Sequence, residues 1–151
     1  MPIVDLAPDD PRWDVALPVL QDLRPGLDLE SLKAVYGEGW AQGYRFLAAV
    51  DDDGRCLGVA GYRLVATVFA GRKLYVDDLV TASSMRSGGV GKALLDELER
   101  RAVDAGCSVL DLDSGVQRHD AHRFYLRERM HISSHHFTKR LQPARRQPER
   151  R

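Results

Sequence analysis

The apolar positions change period several times along the chain, and each change marks an element. Ile3, Val4 and Leu6 form a short strand-like run closed by Pro8. Val15, Ala16, Val19, Leu20 and Leu23 then recur at helical spacing until Pro25 and Gly26 stop them. A second helix begins at Asp28 or Leu29, carries Leu32, Val35 and Tyr36 as its stripe, and ends at Gly37 or Gly39. Residues 44–50 and 56–68 read as strands, and the turn Asp51, Asp52, Asp53, Gly54 between them predicts an antiparallel hairpin. A second turn at Ala70, Gly71 and Arg72 leads into a strand over 74–81 that Asp77 and Asp78 interrupt. Two acids inside an apolar strand need a reason, since a buried unpaired carboxylate is costly. On a regular strand neighbours point to opposite faces, so one acid is expected at a cleft and the other in the opposite layer.

Val90, Leu94, Leu98 and Ala102 fall at intervals of four and define the clearest helix, ended by Gly106, with Asp96–Arg100 and Glu97–Arg101 spaced as surface pairs. Residues 107–113 read as a strand, Ser114 and Gly115 as a loop, 120–128 as a helix bearing Ala121, Phe124 and Tyr125, and 131–141 as a closing strand. The order β-α-α-β-β-β-α-β-α-β predicts an α/β (α+β) fold, a central mixed sheet with helices on both faces. A single domain over residues 1–141 is expected. Residues 142–151, with two prolines and four arginines, read as a basic, flexible tail.

The size of 151 residues, 44% of them hydrophobic and 29% charged, suits one compact domain. No apolar run approaches the eighteen or so residues that cross a bilayer, and Asp5, Asp9 and Asp10 stand where a secretory leader needs apolar residues. A cytoplasmic protein with no membrane partner is expected. Cys56 and Cys107 read as buried reduced thiols. The net charge of zero hides a gradient, because residues 1–60 hold 11 acids against 5 bases and residues 61–151 hold 11 acids against 17 bases. Neutrality weighs against a nucleic-acid partner, while a local basic face suits a phosphorylated cofactor.

The strongest local signal is the turn Arg86, Ser87, Gly88, Gly89, Val90, Gly91, Lys92, set between a strand and the best helix. Peptide N–H groups at a helix start lack intrahelical partners, glycines let an anion approach them, and Arg86 and Lys92 add charge. The turn suits a pyrophosphate. A P-loop is excluded, because Ala93 follows Lys92 and no glycine stands at the required distance before it. A dinucleotide fingerprint begins at Gly89 and Gly91 but breaks at Leu94, although Asp111 or Asp113 follows at the expected distance; it remains a weaker alternative. The pattern RxxGxG is met in full by Arg86, Gly89 and Gly91, and Ala121, Phe124 and Tyr125 supply a second motif, AxxFY.

With these two motifs the chain resembles the GNAT superfamily of acetyl-CoA-dependent N-acetyltransferases over roughly residues 74–141. The resemblance implies acetyl-CoA as co-substrate, with Leu79, Val80 and Thr81 as the strand that pairs with the pantetheine arm and Arg86, Ser87, Gly88, Gly89, Val90, Gly91 and Lys92 as the pyrophosphate cradle. It implies Tyr125 as the general acid for the departing thiolate and Asp77 as the base for the amine, with Asp78 structural or holding a cationic substrate. A backbone N–H near Val80 is expected to hold the oxyanion. The family often has Asn where Arg118 stands and Gly where Arg129 stands.

Acetyl transfer to a primary amine of a small molecule or peptide is the leading expectation, with the acidic first sixty residues favouring a cationic acceptor. A non-catalytic acetyl-CoA sensor and a dinucleotide-binding domain are the alternatives. No metal is expected, since His119, His122, His135 and His136 lack completing ligands at recognised spacing; His119 or His122 could contact the cofactor instead. The closing strand offers an edge to a partner, so a homodimer is possible.

Overall fold

The computed structural model describes residues 1–86 and 88–142. Five strands, β1 (Ile3–Leu6), β2 (Tyr44–Val50), β3 (Cys56–Thr67), β4 (Gly71–Thr81) and β5 (Val109–Leu112), lie side by side in sequence order. The first three pairings are antiparallel and β4–β5 is parallel, so the sheet is mixed. Helices α1 (Trp13–Leu23) and α2 (Leu29–Trp40) cover one face, and α3 (Val90–Asp104) covers the other. Helix α4 (His119–Arg127) follows β5. None of the helices among the described residues is long and apolar enough to cross a membrane.

Helix α1 buries Trp13, Ala16, Leu17, Val19 and Leu20, and turns Pro18 to solvent. Trp13 Nε1 donates to the Ala7 carbonyl at 2.8 Å, which satisfies its only polar atom. The side chain of Asp28 caps α2 by accepting from Ser31 N–H at 2.7 Å. Contrary to the sequence expectation, α2 runs through both glycines to Trp40. A Cβ at Gly39 would lie 2.9 Å from the Tyr44 ring, so that glycine serves a close approach of β2 rather than a helix end. Val15 and Val35, placed in the expected stripes, are exposed. On α3, Glu97 pairs with Arg101 at 2.7 Å as expected, whereas Arg100 turns to Glu97 and Asp104 and leaves Asp96 to Lys92. Cys56 is buried, Cys107 is half-buried, and both are free thiols.

Residues 131–141 form no strand, which corrects the last element of the expected order. Ile132, Phe137 and Leu141 stand five and four residues apart, so no face of a strand gathers them, and all three are exposed. The segment does contact the end of β5, with His136 Nδ1 lying 3.2 Å from a carboxylate oxygen of Asp113, the residue after the strand. Residues 143–151, most of the basic tail, lie outside the described residues.

The feature that positions the site is a bulge. Along β3–β4, Gly61 pairs with Asp78 while its neighbour Tyr62 pairs with Val76, so Asp77 is an extra residue with no opposite partner. Before the bulge, Leu74 and Val76 pack into the core under α3; after it, Val80 packs into the core under α1 and α2.

Candidate active site

Strands β4 and β5 stay paired only from Lys73↔Val109 to Val76↔Leu112. There β5 ends, while β4 runs on to Thr81 bonded to β3 alone. The parting of the two parallel strands opens a cleft whose walls include Asp77, Asp78 and Leu79 of β4, Arg24 behind α1, and Arg118 and Tyr125 of the α4 region. The structure thus brings together the two acids that interrupt the strand and the tyrosine of the AxxFY motif.

The two acids do not point to opposite faces, as a regular strand would require. The extra residue at the bulge turns both toward the α1 side, and each is held by an arginine. Asp77 takes a bidentate pair of hydrogen bonds from Arg63, at 2.9 and 2.8 Å. Asp78 accepts from Arg24 Nε at 3.0 Å and from the Tyr44 hydroxyl, and is buried. Arg24 also donates to the Asp77 carbonyl at 2.9 Å. A Cβ at Gly61 would lie 2.5 Å from an Asp78 carboxylate oxygen, so that glycine makes the room for the acid. Burial raises the Asp77 carboxyl above its ordinary value although Arg63 pulls the other way. Burial and the neighbouring Asp78 raise the Tyr44 hydroxyl, so Tyr44 stays a donor to that carboxylate.

Arg24, Tyr44 and Arg63 are parts of the site that the sequence reading missed. Arg63 was within reach, as a lone arginine in an apolar strand that hairpin register sets beside the acids. Arg24 touches Asp78 across 54 residues and left no local signal.

At one end of the cleft, the short 3-10 turn Ser83–Met85 precedes the start of α3. Gly89 caps α3 with φ 82°, a conformation that favours glycine, and the first helical bond runs from Ala93 N–H to the Gly89 carbonyl at 3.0 Å. A Cβ at Gly88 would lie 3.0 Å from the Met85 carbonyl, and one at Gly91 would lie 3.4 Å from the Phe124 ring. Small residues therefore let the turn close and let α4 approach the first turn of α3, whose N–H groups have no intrahelical acceptor. Lys92 is tied to Glu128 at 3.0 Å and to Asp96 at 3.4 Å. Ser87 lies outside the described residues.

Tyr125 is on the cleft wall, and its hydroxyl makes no hydrogen bond among the described residues. Burial raises its ordinary value and the Arg118 charge opposes that rise. Helix α4 ends with Met130 N–H donating to the Tyr125 carbonyl at 3.0 Å, around Arg129 at φ 68°. The arginine thus occupies the left-handed position usually given to glycine. His122 Nε2 lies 2.7 Å from the Gly115 carbonyl, so that histidine braces the loop before α4. Among the described residues no cluster of three or more His, Cys, Asp or Glu is placed to hold a metal.

A sheet parted at its two parallel strands, with a glycine-rich helix start at one end and acids and a tyrosine on the walls, defines the class of the protein, and comparison with known proteins agrees. The model of the Acetyltransferase (GNAT) family matches residues 16–130, and the chain belongs to that family. An uncharacterized N-acetyltransferase of Bacillus subtilis, YhdJ, is 35% identical over 115 residues, 76% of this chain and 80% of the relative. The aminoalkylphosphonate N-acetyltransferase of Salmonella typhimurium is 41% identical over 66 residues, 44% of this chain and 43% of that protein. Among solved structures, an acetyltransferase of Trypanosoma brucei superposes with a TM-score of 0.72 at 24% identity, over 94% of this chain and 99% of the other.

Proposed function

We propose that the protein is an enzyme that transfers the acetyl group of acetyl-CoA to a primary amine of a small molecule or peptide by direct attack. The observation that carries this reading is the cleft between β4 and β5, because Asp77, Asp78 and Tyr125 line it and the glycine-rich start of α3 lies beside it, with Gly91 against Thr81 and Phe124. The first turn of α3, from Gly88 through Val90 and Gly91 to Lys92 and flanked by Arg86, offers N–H groups and charge to a pyrophosphate. The free edge of Leu79, Val80 and Thr81 offers backbone groups to the amide-bearing pantetheine arm. The residues present fit the co-substrate, which supplies an activated thioester when bound.

The remaining chemistry falls to this chain. Asp77 takes a proton from the ammonium group, directly or through water, and leaves the nitrogen lone pair free to attack the carbonyl carbon. A backbone N–H near Val80 receives the oxygen as it gains charge. When the carbon–sulfur bond breaks, Tyr125 donates its proton to the sulfur, and the amide nitrogen releases its second proton to solvent. Solvent returns the proton to Tyr125 and removes the one on Asp77, so the products are amide, free thiol and one net proton.

Two measurements on the full chain test the reading: thermal melting with acetyl-CoA or NAD, and release of free thiol from acetyl-CoA in the presence of amines. Acetyl-CoA should raise the melting temperature and NAD should not, because a ligand held by the native helix start stabilises only the folded state. Thiol release that depends on added amine is expected. A shift with NAD alone, or acetyl-CoA binding with no amine-dependent release, sinks the enzyme reading.

A further inference from the structure

Three arginines stand at the acid end of the cleft, and they differ in one respect. Arg24 is balanced by Asp78 at 2.8 Å and Arg63 by Asp77 at 2.8 Å. Arg118 lines the cleft beside Tyr125, Asp77 and Asp78 and is half-buried, yet among the described residues its guanidinium has no ion pair and no hydrogen bond. Its backbone is fixed, with the N–H donating to the Gly115 carbonyl at 3.0 Å and the carbonyl accepting from His122 N–H at 3.1 Å. The root of the side chain is therefore fixed at the cleft wall.

A half-buried guanidinium without a counter-ion keeps a desolvation cost that an anion in the cleft removes. Its planar fork matches the two oxygens of a carboxylate or a phosphonate. The thioester and pantetheine arm bring no charge to that end, and the pyrophosphate belongs with the α3 turn. Asp77 and Asp78 are each paired with an arginine, and Asp113, the third acid on the wall, accepts from the Tyr75 hydroxyl and lies 3.2 Å from His136 Nδ1, so none of the three stands as a free charge for a cationic acceptor. Resting on the acetyltransferase reading, we propose that the acceptor is a short amine that also carries a carboxylate, phosphonate or similar anionic group, and that Arg118 pairs with that group.

The test is thiol release by the full-length protein with acetyl-CoA and acceptors of similar size: β-alanine and 2-aminoethylphosphonate as anionic amines, propylamine as the neutral one and spermidine as the cationic one. At least one anionic amine should exceed propylamine in kcat/KM by about ten- to hundredfold, the range of a charge-assisted bidentate pair. β-Alanine against 2-aminoethylphosphonate separates the two anion types. In Arg118→Gln the preference ratio should fall to about one, mainly through the KM of the anionic amine, and Arg118→Lys should restore part of it. Equal losses of kcat for anionic and neutral amines in Arg118→Gln would place the charge on Tyr125 or the sulfur and overturn the inference. Spermidine or propylamine turned over as well as the anionic amines also overturns it, while leaving the enzyme reading intact. If no amine is used the inference falls as well, and the acetyl-CoA melting shift then reports whether the donor site falls with it.

Discussion

The stretch up to Ala102 and the stretch beyond it are built differently. Every buried residue lies in the first; among the described residues none after Ala102 is buried. The first stretch interlocks Trp13, Tyr36, Tyr44 and Phe46, with edge-on contacts at 5.0–6.0 Å such as Tyr36–Phe46 and Trp13–Tyr36, and Tyr44 tilted on Phe46 at 4.8 Å. The second contributes β5 and α4, whose side chains are at most half-buried, yet Arg118 and Tyr125 sit there. The buried core is thus confined to the first stretch, while the groups proposed for the proton chemistry fall on both sides of the division, Asp77 before it and Tyr125 after it. Substitutions in the core and in the proton-handling groups should separate accordingly.

The largest effect expected is from Trp13→Ala. Removing a fully buried indole leaves a cavity among aromatic neighbours and should cost about 3–5 kcal/mol in denaturant unfolding. A loss under about 1 kcal/mol breaks the contrast at its stable end. Tyr125→Phe should do the opposite: the melting temperature and acetyl-CoA affinity stay near those of the parent while turnover falls about a hundredfold or more. Turnover within a few-fold of the parent removes Tyr125 from the proton chemistry.

Asp77 calls for a pH profile. A base works ionised, so with Asp77 raised by burial the acidic limb of the rate should lie above the ordinary carboxylate range. Arg63→Gln removes the charge that opposes the rise, and the limb should move to still higher pH. Asp77→Asn should lose more rate at neutral pH, where the amine is protonated, than at high pH. A uniform loss at every pH makes Asp77 a positioning group. The smallest effect is a gain: Arg129→Gly relieves a left-handed φ of 68° and should stabilise the protein by about 1 kcal/mol without changing turnover. Loss of stability there means that the arginine side chain contributes more than its backbone costs.

The parts legible in the sequence were those coded by neighbouring residues. The α3 stripe, the RxxGxG turn and the AxxFY segment are contiguous patterns, and family membership followed from them. The common face of Asp77 and Asp78 was not legible, because it depends on a one-residue slip against β3 that neither strand announces alone. Arg24 was hidden for a related reason, since it reaches the acids only after α1 has packed on the sheet. Residues 131–141 misled in the other direction. Ile132, Phe137 and Thr138 favour strands, but propensity does not supply a partner edge.

Strand β4, which carries the bulge, is also a wall of two cores. Leu74 and Val76 belong to the one under α3, and Val80 to the one under α1 and α2. Neither layer can loosen without disturbing a strand on which the other depends. Heat should therefore melt both layers in a single cooperative transition, with the calorimetric and van't Hoff enthalpies in agreement. The strand that carries both acids is the same one that binds the two halves of the interior into one thermodynamic unit.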